Sequence, residues 1–406
     1  MTTVNAWGRG PSKRYEKLAQ KFRPIFARIA EGAVAREIER RLPFEEIGWL
    51  KDARFGALRV PVTDGGYGAT LPELFELLAE LARADSNFTQ ILRAHFGAVE
   101  DVLASRDQAR RALWFDRFAA GDIFGGGFTE RGGAKAGTFA TTIKRLNGGW
   151  VVNGEKYYST GSLFADWIEL VGTGPEDKVI VAAVPTSAPG LTQRDDWNGF
   201  GQKLTGSGTS IYENIELPFE NVQTGDDRFK YQAAFYQTVH LATLTGIARA
   251  AADEVSEQVA RRTRTFTHAT ARVPRQDPQV LQVVGQAHAA AYAAGAVTQR
   301  VAAALQHAYE TAIDGGEKDV EEANLAAEIE AAEGQIVVSK LVLDATAGIF
   351  NALAASATST SVSLDRHWRN ARTISSHNPA IYKERVVGDY AVNQTAPPYL
   401  WLPGAS

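Results

Sequence analysis

The histidines are the residues best suited to proton transfer in this sequence, because an imidazole changes charge near neutral pH. There are 7 of them. None has the HExxH spacing of a zinc site, so no metal site is predicted. The chain has 0 cysteines, which excludes disulfides, thiolate catalysis and cysteine-ligated metals. It also lacks a GxGxxG fingerprint and a P-loop, so the sequence predicts no nicotinamide or nucleotide site of its own.

The composition predicts a folded protein without a nucleic-acid or membrane partner. The chain has 406 residues, of which 45% are hydrophobic and 22% charged, enough for several domains. Its 43 Lys and Arg against 47 Asp and Glu give a net charge of −4, whereas nucleic-acid binders usually show a basic excess. No apolar run has the length of a membrane span, and the N-terminal residues lack the apolar centre of a signal peptide. We expect a cytoplasmic protein.

The residue pattern changes twice along the chain and predicts three domains. Residues 1–122 read as a helical domain, in which Thr70–Glu73 has the spacing of a capping box. Residues 123–225 contain short β-rich runs punctuated by Gly and Pro, and Asn153-Gly154 is typical of a tight turn. Residues 226–406 return to Ala-rich helices followed by an extended tail. The predicted fold class is α+β, with a helical domain, a central antiparallel β-barrel and a C-terminal helical bundle.

Several segments resemble motifs of the acyl-CoA dehydrogenase superfamily. Val60–Gly68 resembles its VPxxxGGxG loop, and Phe128-Thr129-Glu130 its LTE motif. Gly154–Thr160 is similar to its GxKxWIT flavin motif, which Ala165-Asp166 completes. Asp365–Pro379 resembles the DRFWRNxRTxxxHDP signature of the flavin-dependent monooxygenase branch, which contains dibenzothiophene monooxygenases and sulfur-acquisition oxidoreductases.

This resemblance implies a two-component monooxygenase. Such an enzyme uses reduced flavin and O2 to oxygenate a small sulfur- or nitrogen-containing compound through a flavin peroxide. The resemblance also implies a homotetramer and a separate flavin reductase. FMN is favoured over FAD, because residues 354–359 lack the GGxG-like loop of the FAD-binding dehydrogenases.

The resemblance also assigns roles to single residues. His377, His95 and Thr160 are the implied catalytic residues. The implied flavin contacts are Phe128, Thr129, Tyr158, Thr160, Trp197, Arg264, Arg369 and Arg372. The remaining histidines have no motif around them, and we predict that they are structural; they are His240, His268, His288, His307 and His367.

Asn378 separates oxygenation from dehydrogenation. An acyl-CoA dehydrogenase needs a carboxylate to remove a proton, and counting from Arg369-Asn370-Ala371 places Asn378 where the commonest branch has Glu. An amide cannot act as that base. Residues 240–246, where other branches carry the base, contain no carboxylate either. Two alternatives stay open: an acyl-CoA dehydrogenase or nitroalkane-oxidase-like enzyme with a displaced base, and a non-catalytic flavin-binding member of the fold.

Overall fold

The computed structural model describes residues 7–131, 138–146, 148–225 and 228–398. Seven α-helices precede the first strand, eight β-strands follow, and five α-helices end the described part of the chain. The N-terminal helices are α1 Lys13–Glu31, α2 Ala33–Glu39, α3 Phe44–Asp52, α4 Leu71–Ala84, α5 Asn87–Ile91, α6 Arg93–Ala104 and α7 Gln108–Ala120. The strands are β1 Phe124–Gly127, β2 Thr142–Leu146, β3 Gly149–Lys156, β4 Trp167–Thr173, β5 Val179–Pro185, β6 Leu191–Gln193, β7 Ser210–Leu217 and β8 Val222–Thr224. The C-terminal helices are α8 Gln232–Arg261, α9 Pro278–Asp314, α10 Glu317–Gly348, α11 Arg366–Ser375 and α12 Ala380–Asn393.

The predicted capping box starts α4. The Thr70 hydroxyl accepts from the Glu73 N–H, and the Glu73 carboxylate accepts from the Thr70 N–H at 2.9 Å. Two N–H groups that the helix cannot satisfy are paired in this way. Leu74, Leu77 and Leu78 then recur at helical spacing and are fully buried. This prediction is confirmed.

One large hydrophobic core joins the N-terminal helices to α8, α9 and α10. It contains Phe22, Phe75, Phe235 and Val338, each of them fully buried. A second core of aliphatic side chains, including Ile143, Ile168 and Ile215, lies on the sheet. Helix α8 packs against both α4 and α9, so it runs through the centre of the helical layers.

The sheet is open, so the predicted barrel is not confirmed. Its strand order is β6-β7-β3-β2-β4-β5-β8, with β1 pairing in parallel with β4 off this path. The remaining pairs are antiparallel, except for a single parallel contact between β2 and β4. A barrel requires its two edge strands to pair along their length. Here the edge strands β6 and β8 have 3 residues each, and described residues form no pairing between them.

Asn153-Gly154 is not a turn, contrary to the prediction. Both residues lie inside β3, where the register against β7 shifts between Val152 and Gly154. Gly154 has φ 151°, and a side chain there would press on Thr141 at about 2.5 Å. The Asn-Gly pattern therefore marks a β-bulge, which also needs a permissive backbone. The reversal between β2 and β3 comes earlier, where Leu146 pairs with Gly149.

No helix of the described residues is long and apolar enough to cross a lipid bilayer.

Candidate active site

An ion pair inside the sheet uses two of the motif residues. The Lys156 Nζ lies 2.6 Å from Glu130 Oε1, and the Lys156 side chain is fully buried. The Glu130 carboxylate also accepts from the Ala140 and Thr141 N–H groups at 2.7 and 3.0 Å. Glu130 and Lys156 therefore tie the segment before β2 to the end of β3, and their polar atoms are paired within the protein.

Asp166 makes a second internal tie. One carboxylate oxygen lies 2.7 Å from Lys51 Nζ, and the other accepts from the Ile123 N–H at 2.9 Å. The contact joins the end of α3 to the residue before β1. The Ala-Asp step of the flavin motif thus positions β1.

Two residues that were predicted to face a flavin, Tyr158 and Thr160, follow the end of β3. Tyr158 follows the strand with φ 60°, and its side chain is 51% exposed. Its ring lies 5.8 Å from that of Trp197. The Thr160 hydroxyl lies 2.7 Å from the Ser207 hydroxyl, and the Thr129 carbonyl accepts from the Tyr157 N–H at 2.8 Å. The structure brings Tyr158, Thr160 and Trp197 to one edge of the sheet.

Trp197 is held in place by the two acidic residues before it. The Asp195 carboxylate pairs with the Arg40 guanidinium at 2.7 and 2.8 Å. The Asp196 carboxylate accepts from both the N–H and the hydroxyl of Thr209 at 2.7 Å. These bonds fix the loop that presents the indole ring beside Tyr158.

The edge around Tyr158 suits a flat aromatic cofactor such as a flavin. The Gly126 N–H donates to the Thr160 carbonyl at 2.9 Å, so β1 lies directly beside the exposed edge. A side chain at Gly126 would approach the Phe128 ring to about 3.2 Å and fill this space. The buried Ser159 hydroxyl has no hydrogen-bond partner among residues 7–131, 138–146, 148–225 and 228–398. Aromatic rings, free hydroxyls and a glycine strand are what a polar-edged planar ring needs.

Phe128 connects this edge to α6 and α8. Its half-buried ring lies 6.3 Å from the ring of Tyr236 on α8. The Arg93 guanidinium lies over the other side of this contact, 4.5 Å from the Tyr236 ring centroid. Gly97 permits the approach of α6, because any side chain there would collide with the Tyr236 hydroxyl. A continuous wall therefore runs from β1 to the first turns of α8.

His240, one turn further along α8, forms a tilted ring contact with His377. Their ring centroids are 4.5 Å apart and tilted by 54°. His240 is 1% exposed, and neither of its ring nitrogens has a hydrogen-bond partner among the described residues. Burial, and then the charges of His377 and Arg93, lowers the pKa of His240 well below its usual value. Each unpaired buried polar atom destabilises a fold by about 1–3 kcal/mol. The two His240 nitrogens are therefore expected to lower the stability of the folded chain.

His377 is oriented by its neighbour Asn378. The Asn378 amide nitrogen donates to Gln237 Oε1 at 3.0 Å, which turns Asn378 Oδ1 towards His377 Nδ1 at 3.3 Å. Gln335 holds the Asn378 carbonyl at 2.7 Å. Nδ1 is then the protonated nitrogen, and Nε2 carries a lone pair. His377 is exposed on one side, yet the surrounding protein, and then the charge of Arg93, lowers its pKa.

His95 does not have the free nitrogen that its predicted catalytic role requires. The ring is fully buried; Nε2 contacts the Gly56 carbonyl at 2.9 Å, and Nδ1 accepts from the Phe124 N–H at 3.2 Å. Burial lowers the pKa of His95 to about 4, so the ring is neutral. We correct the prediction: His95 is a positioning residue that fastens α6 to the start of β1.

The three arginines with an implied flavin contact are Arg264, Arg369 and Arg372. Arg369 lies 2.7 Å from Asp365 and 2.5 Å from Glu37, so its guanidinium already joins α11 to α2. The flavin-ligand role of Arg369 stays a prediction. Arg264 follows the end of α8 and Arg372 lies on α11, and both are exposed.

Two residues of the site were not predicted. His240 was assigned a structural role, and Arg93 was not considered. A sequence signal for both existed, because Tyr236 and His240 are four residues apart and share one face of a helix. What the sequence could not supply was the position of α6 and α11 against that face.

Two parts of the chain match protein families. Residues 126–215 match the family "Acyl-CoA dehydrogenase, middle domain", and residues 238–380 match "Acyl-CoA dehydrogenase, C-terminal domain". The chain belongs to the acyl-CoA dehydrogenase superfamily. The resemblance stated from the sequence motifs is thereby confirmed.

Several similar proteins carry monooxygenase names. The chain is 27% identical to a dibenzothiophene monooxygenase of Mycolicibacterium goodii, over 87% of this chain and 88% of that protein. It is 26% identical to a protein of Pseudomonas putida named as an FMNH2-dependent monooxygenase, over 92% and 94%. Among solved structures, a methanesulfinate monooxygenase from Pseudomonas fluorescens superposes with a TM-score of 0.86 at 26% identity, covering 94% of this chain and 98% of that one.

Proposed function

We propose that the protein is a flavin-dependent monooxygenase that uses reduced FMN and O2 to oxygenate a small sulfur- or nitrogen-containing organic compound. The observation that carries this proposal is the pair His240–His377. It lies where a dehydrogenase of this superfamily would need a carboxylate, and it has no Asp or Glu bonded to it within the described residues. Similar proteins named as monooxygenases of sulfur compounds support the same chemistry.

Bound FMN would supply two electrons and activate O2, chemistry that no side chain of this protein can perform. The remaining tasks fall to the chain. Tyr158 and Trp197 would hold the ring by stacking, and the hydroxyl of Thr160 would bond its polar edge. We keep Phe128 and Thr129 as contacts to the ring from β1, and Arg264 and Arg372 as candidates for the phosphate.

His377 is the proposed catalytic residue. Asn378 fixes its Nδ1 as the donor, so Nε2 is available to take a proton from a reacting group and return it. The wall formed by Phe128 and Tyr236 would keep water from the reacting atoms, and this would suppress the loss of O2 as hydrogen peroxide. The C-terminal tail, residues 396–406, was predicted to add to this closure, but from residue 399 onwards it lies outside the described residues.

Reduced FMN would come from a separate reductase, because the sequence predicts no nicotinamide site. We also propose the homotetramer and the division into domains at residues 1–122, 123–225 and 226–406. Exposed apolar side chains on α9, including Leu281, Tyr292 and Ile313, support burial against another subunit. Size determination in solution should give a tetramer, whereas a concentration-independent monomer would contradict this assembly.

The test of the function is a coupled assay with a flavin reductase, NADH, FMN and a panel of thioethers, sulfinates and amines. We expect substrate-dependent oxygen uptake and an oxygenated product. The competing dehydrogenase reading predicts that straight-chain acyl-CoA bleaches bound oxidised flavin without oxygen. Bleaching of that kind, with no oxygenated product, would replace our proposal.

A further inference from the structure

Arg93 is a cation without an acidic partner. Its guanidinium is half-buried, and its contacts are the Tyr236 carbonyl at 3.4 Å and the Tyr236 ring at 4.5 Å. No Asp or Glu of the described residues pairs with it, whereas Arg36, Arg59 and Arg228, which are also buried, each pair with a carboxylate. A cation removed from water normally has a counter-charge.

His240 adds a second unsatisfied group on the same wall. Tyr236 and His240 are four residues apart on α8, so the guanidinium that lies on Tyr236 is one helical turn from the imidazole. The His240 side chain is 1% exposed, and both of its nitrogens lack partners in the part of the chain that the structure describes. His377, whose Nε2 is also available, contacts it at 4.5 Å.

Arg93, His240 and His377 form what we call the cationic wall. Arg93 supplies the positive charge and N–H donors, and the His240 ring, whose pKa is lowered by burial, adds one N–H; no carboxylate of the described residues opposes them. A planar guanidinium fork matches the two oxygens of an oxyanion group better than it matches a neutral sulfur compound. The surroundings, which keep water from Arg93, lower its pKa to about 10, and a bound anion would reverse this effect.

We infer that the cationic wall binds a small organic oxyanion as the substrate, most directly a sulfinate, with Arg93 as the residue that selects for its charge. The inference rests on the proposed function and names its substrate class. A sulfinate suits the chemistry because its sulfur keeps a lone pair beside the charged oxygens. Arg93 would hold those oxygens and leave the sulfur free to react.

The reaction balances with FMNH2 and O2 alone. The sulfur of R–SO2⁻ gains one S–O bond and loses two electrons. The O–O bond breaks, one oxygen atom goes to sulfur, and the other leaves as water with the two hydrogens and two electrons of FMNH2. The products are R–SO3⁻, FMN and water.

The experiment compares benzenesulfinate with methyl phenyl sulfoxide, a neutral compound of almost the same shape. In the reductase-coupled assay, Arg93→Gln should lower kcat/KM for benzenesulfinate by about ten- to a hundredfold, which is the loss of one hydrogen-bonded charge contact. Turnover of the sulfoxide should change less than about threefold, since it presents no charge. Arg93→Lys should recover part of the sulfinate activity.

Arg117→Gln is the matched control. Arg117 also lies over aromatic rings, 4.4 Å from Trp114 and 4.3 Å from Trp167, and burial lowers its pKa as well. It belongs to α7, away from the cationic wall, so its loss should leave the ratio of sulfinate to sulfoxide turnover unchanged. An equal loss on both substrates in Arg93→Gln, or a weakened affinity for FMN instead, would overturn the inference.

Calorimetric titration with benzenesulfinate and benzoate separates this inference from the proposed function, because binding needs no turnover. Both anions should bind the FMN-loaded protein and compete, and Arg93→Gln should weaken both. Binding without any oxygenated product would retain the anion site and reject the monooxygenase. Absence of binding by sulfinate and carboxylate alike would reject the anion site.

Discussion

The ion pairs of the sheet and the cationic wall treat buried polar groups in opposite ways. Around β3, Lys156 is fully buried and has a carboxylate at 2.6 Å. On α8, His240 is equally buried, and no described residue pairs with either of its nitrogens. An unpaired buried polar group destabilises a fold. The paired Lys156 therefore contributes stability, whereas His240 lowers stability and leaves its nitrogens available to a ligand. The contrast predicts that substitutions in the two regions change stability in opposite directions.

The largest expected effect is in the sheet. Glu130→Gln leaves the buried Lys156 charge without its counter-ion, and breaking one side of a buried pair costs about 3–5 kcal/mol. Urea unfolding should show this loss in the free energy of unfolding. The control Glu257→Gln removes a pair in which both side chains are exposed, Arg261 at 80% and Glu257 at 63%. It should change the free energy by less than about 0.5 kcal/mol. Equal losses of unfolding free energy in Glu130→Gln and Glu257→Gln would contradict the stabilising role of the buried pair.

The opposite change is expected on α8. His240→Leu removes two unpaired nitrogens and keeps a side chain of similar bulk, so the free energy of unfolding should rise by about 2 kcal/mol. Oxygenation should fall by about tenfold or more, because the cationic wall loses a member. Urea unfolding and the coupled assay measure the two effects on the same preparation. A less stable His240→Leu protein would show that the imidazole is satisfied in solution.

Acid should sharpen the same contrast. The pKa of His240 in the folded chain lies well below its usual value, because of burial and the charges of His377 and Arg93. The unfolded chain therefore binds more protons below about pH 6.5, and stability falls as the pH falls through that range. Between about pH 6.5 and pH 5 the unmutated protein should lose about 2 kcal/mol more than His240→Leu. Thermal or urea unfolding at both pH values measures this difference, and identical slopes would contradict it.

The smallest effect concerns the edge that faces the proposed flavin. Thr160→Val removes the hydroxyl that we propose bonds the polar edge of the flavin, and one such hydrogen bond is worth about 1 kcal/mol. The affinity for reduced FMN should fall about fivefold, a little less than the tenfold that 1.4 kcal/mol represents. Thr311→Val is the control, because its exposed hydroxyl bonds only to the His307 carbonyl one turn back. Unchanged flavin affinity in Thr160→Val would remove Thr160 from the site.

The features that the sequence predicted well are local ones. The capping box at Thr70 depends on a few consecutive residues, and the structure confirms it. The predicted barrel was not confirmed, because closure of a sheet depends on the length of its two edge strands, which no local pattern encodes. The prediction of a turn at Asn153-Gly154 was wrong, because a β-bulge requires the same residue types.

The residues of the candidate site also fall into those that local motifs predict and those that depend on helix packing. Tyr158 and Trp197 could be placed together from motifs, since each motif occupies a continuous segment. His240, Arg93 and His377 come from α8, α6 and the residues after α11, so their meeting depends on helix packing. His95 was misassigned because its motif position said nothing of the two backbone groups, Gly56 and Phe124, that occupy its nitrogens.

The central claim is that the pair His240–His377 directs oxygen into a substrate, and the coupling of His377→Ala tests it most directly. With reductase, FMN and a substrate found in the panel, reduced FMN consumed is compared with product formed and hydrogen peroxide released. We predict that His377→Ala still consumes reduced FMN, while the share of oxygen reaching product falls by about ten- to a hundredfold and hydrogen peroxide replaces it. An unchanged ratio of product to hydrogen peroxide would show that His377 is structural and would contradict the claim.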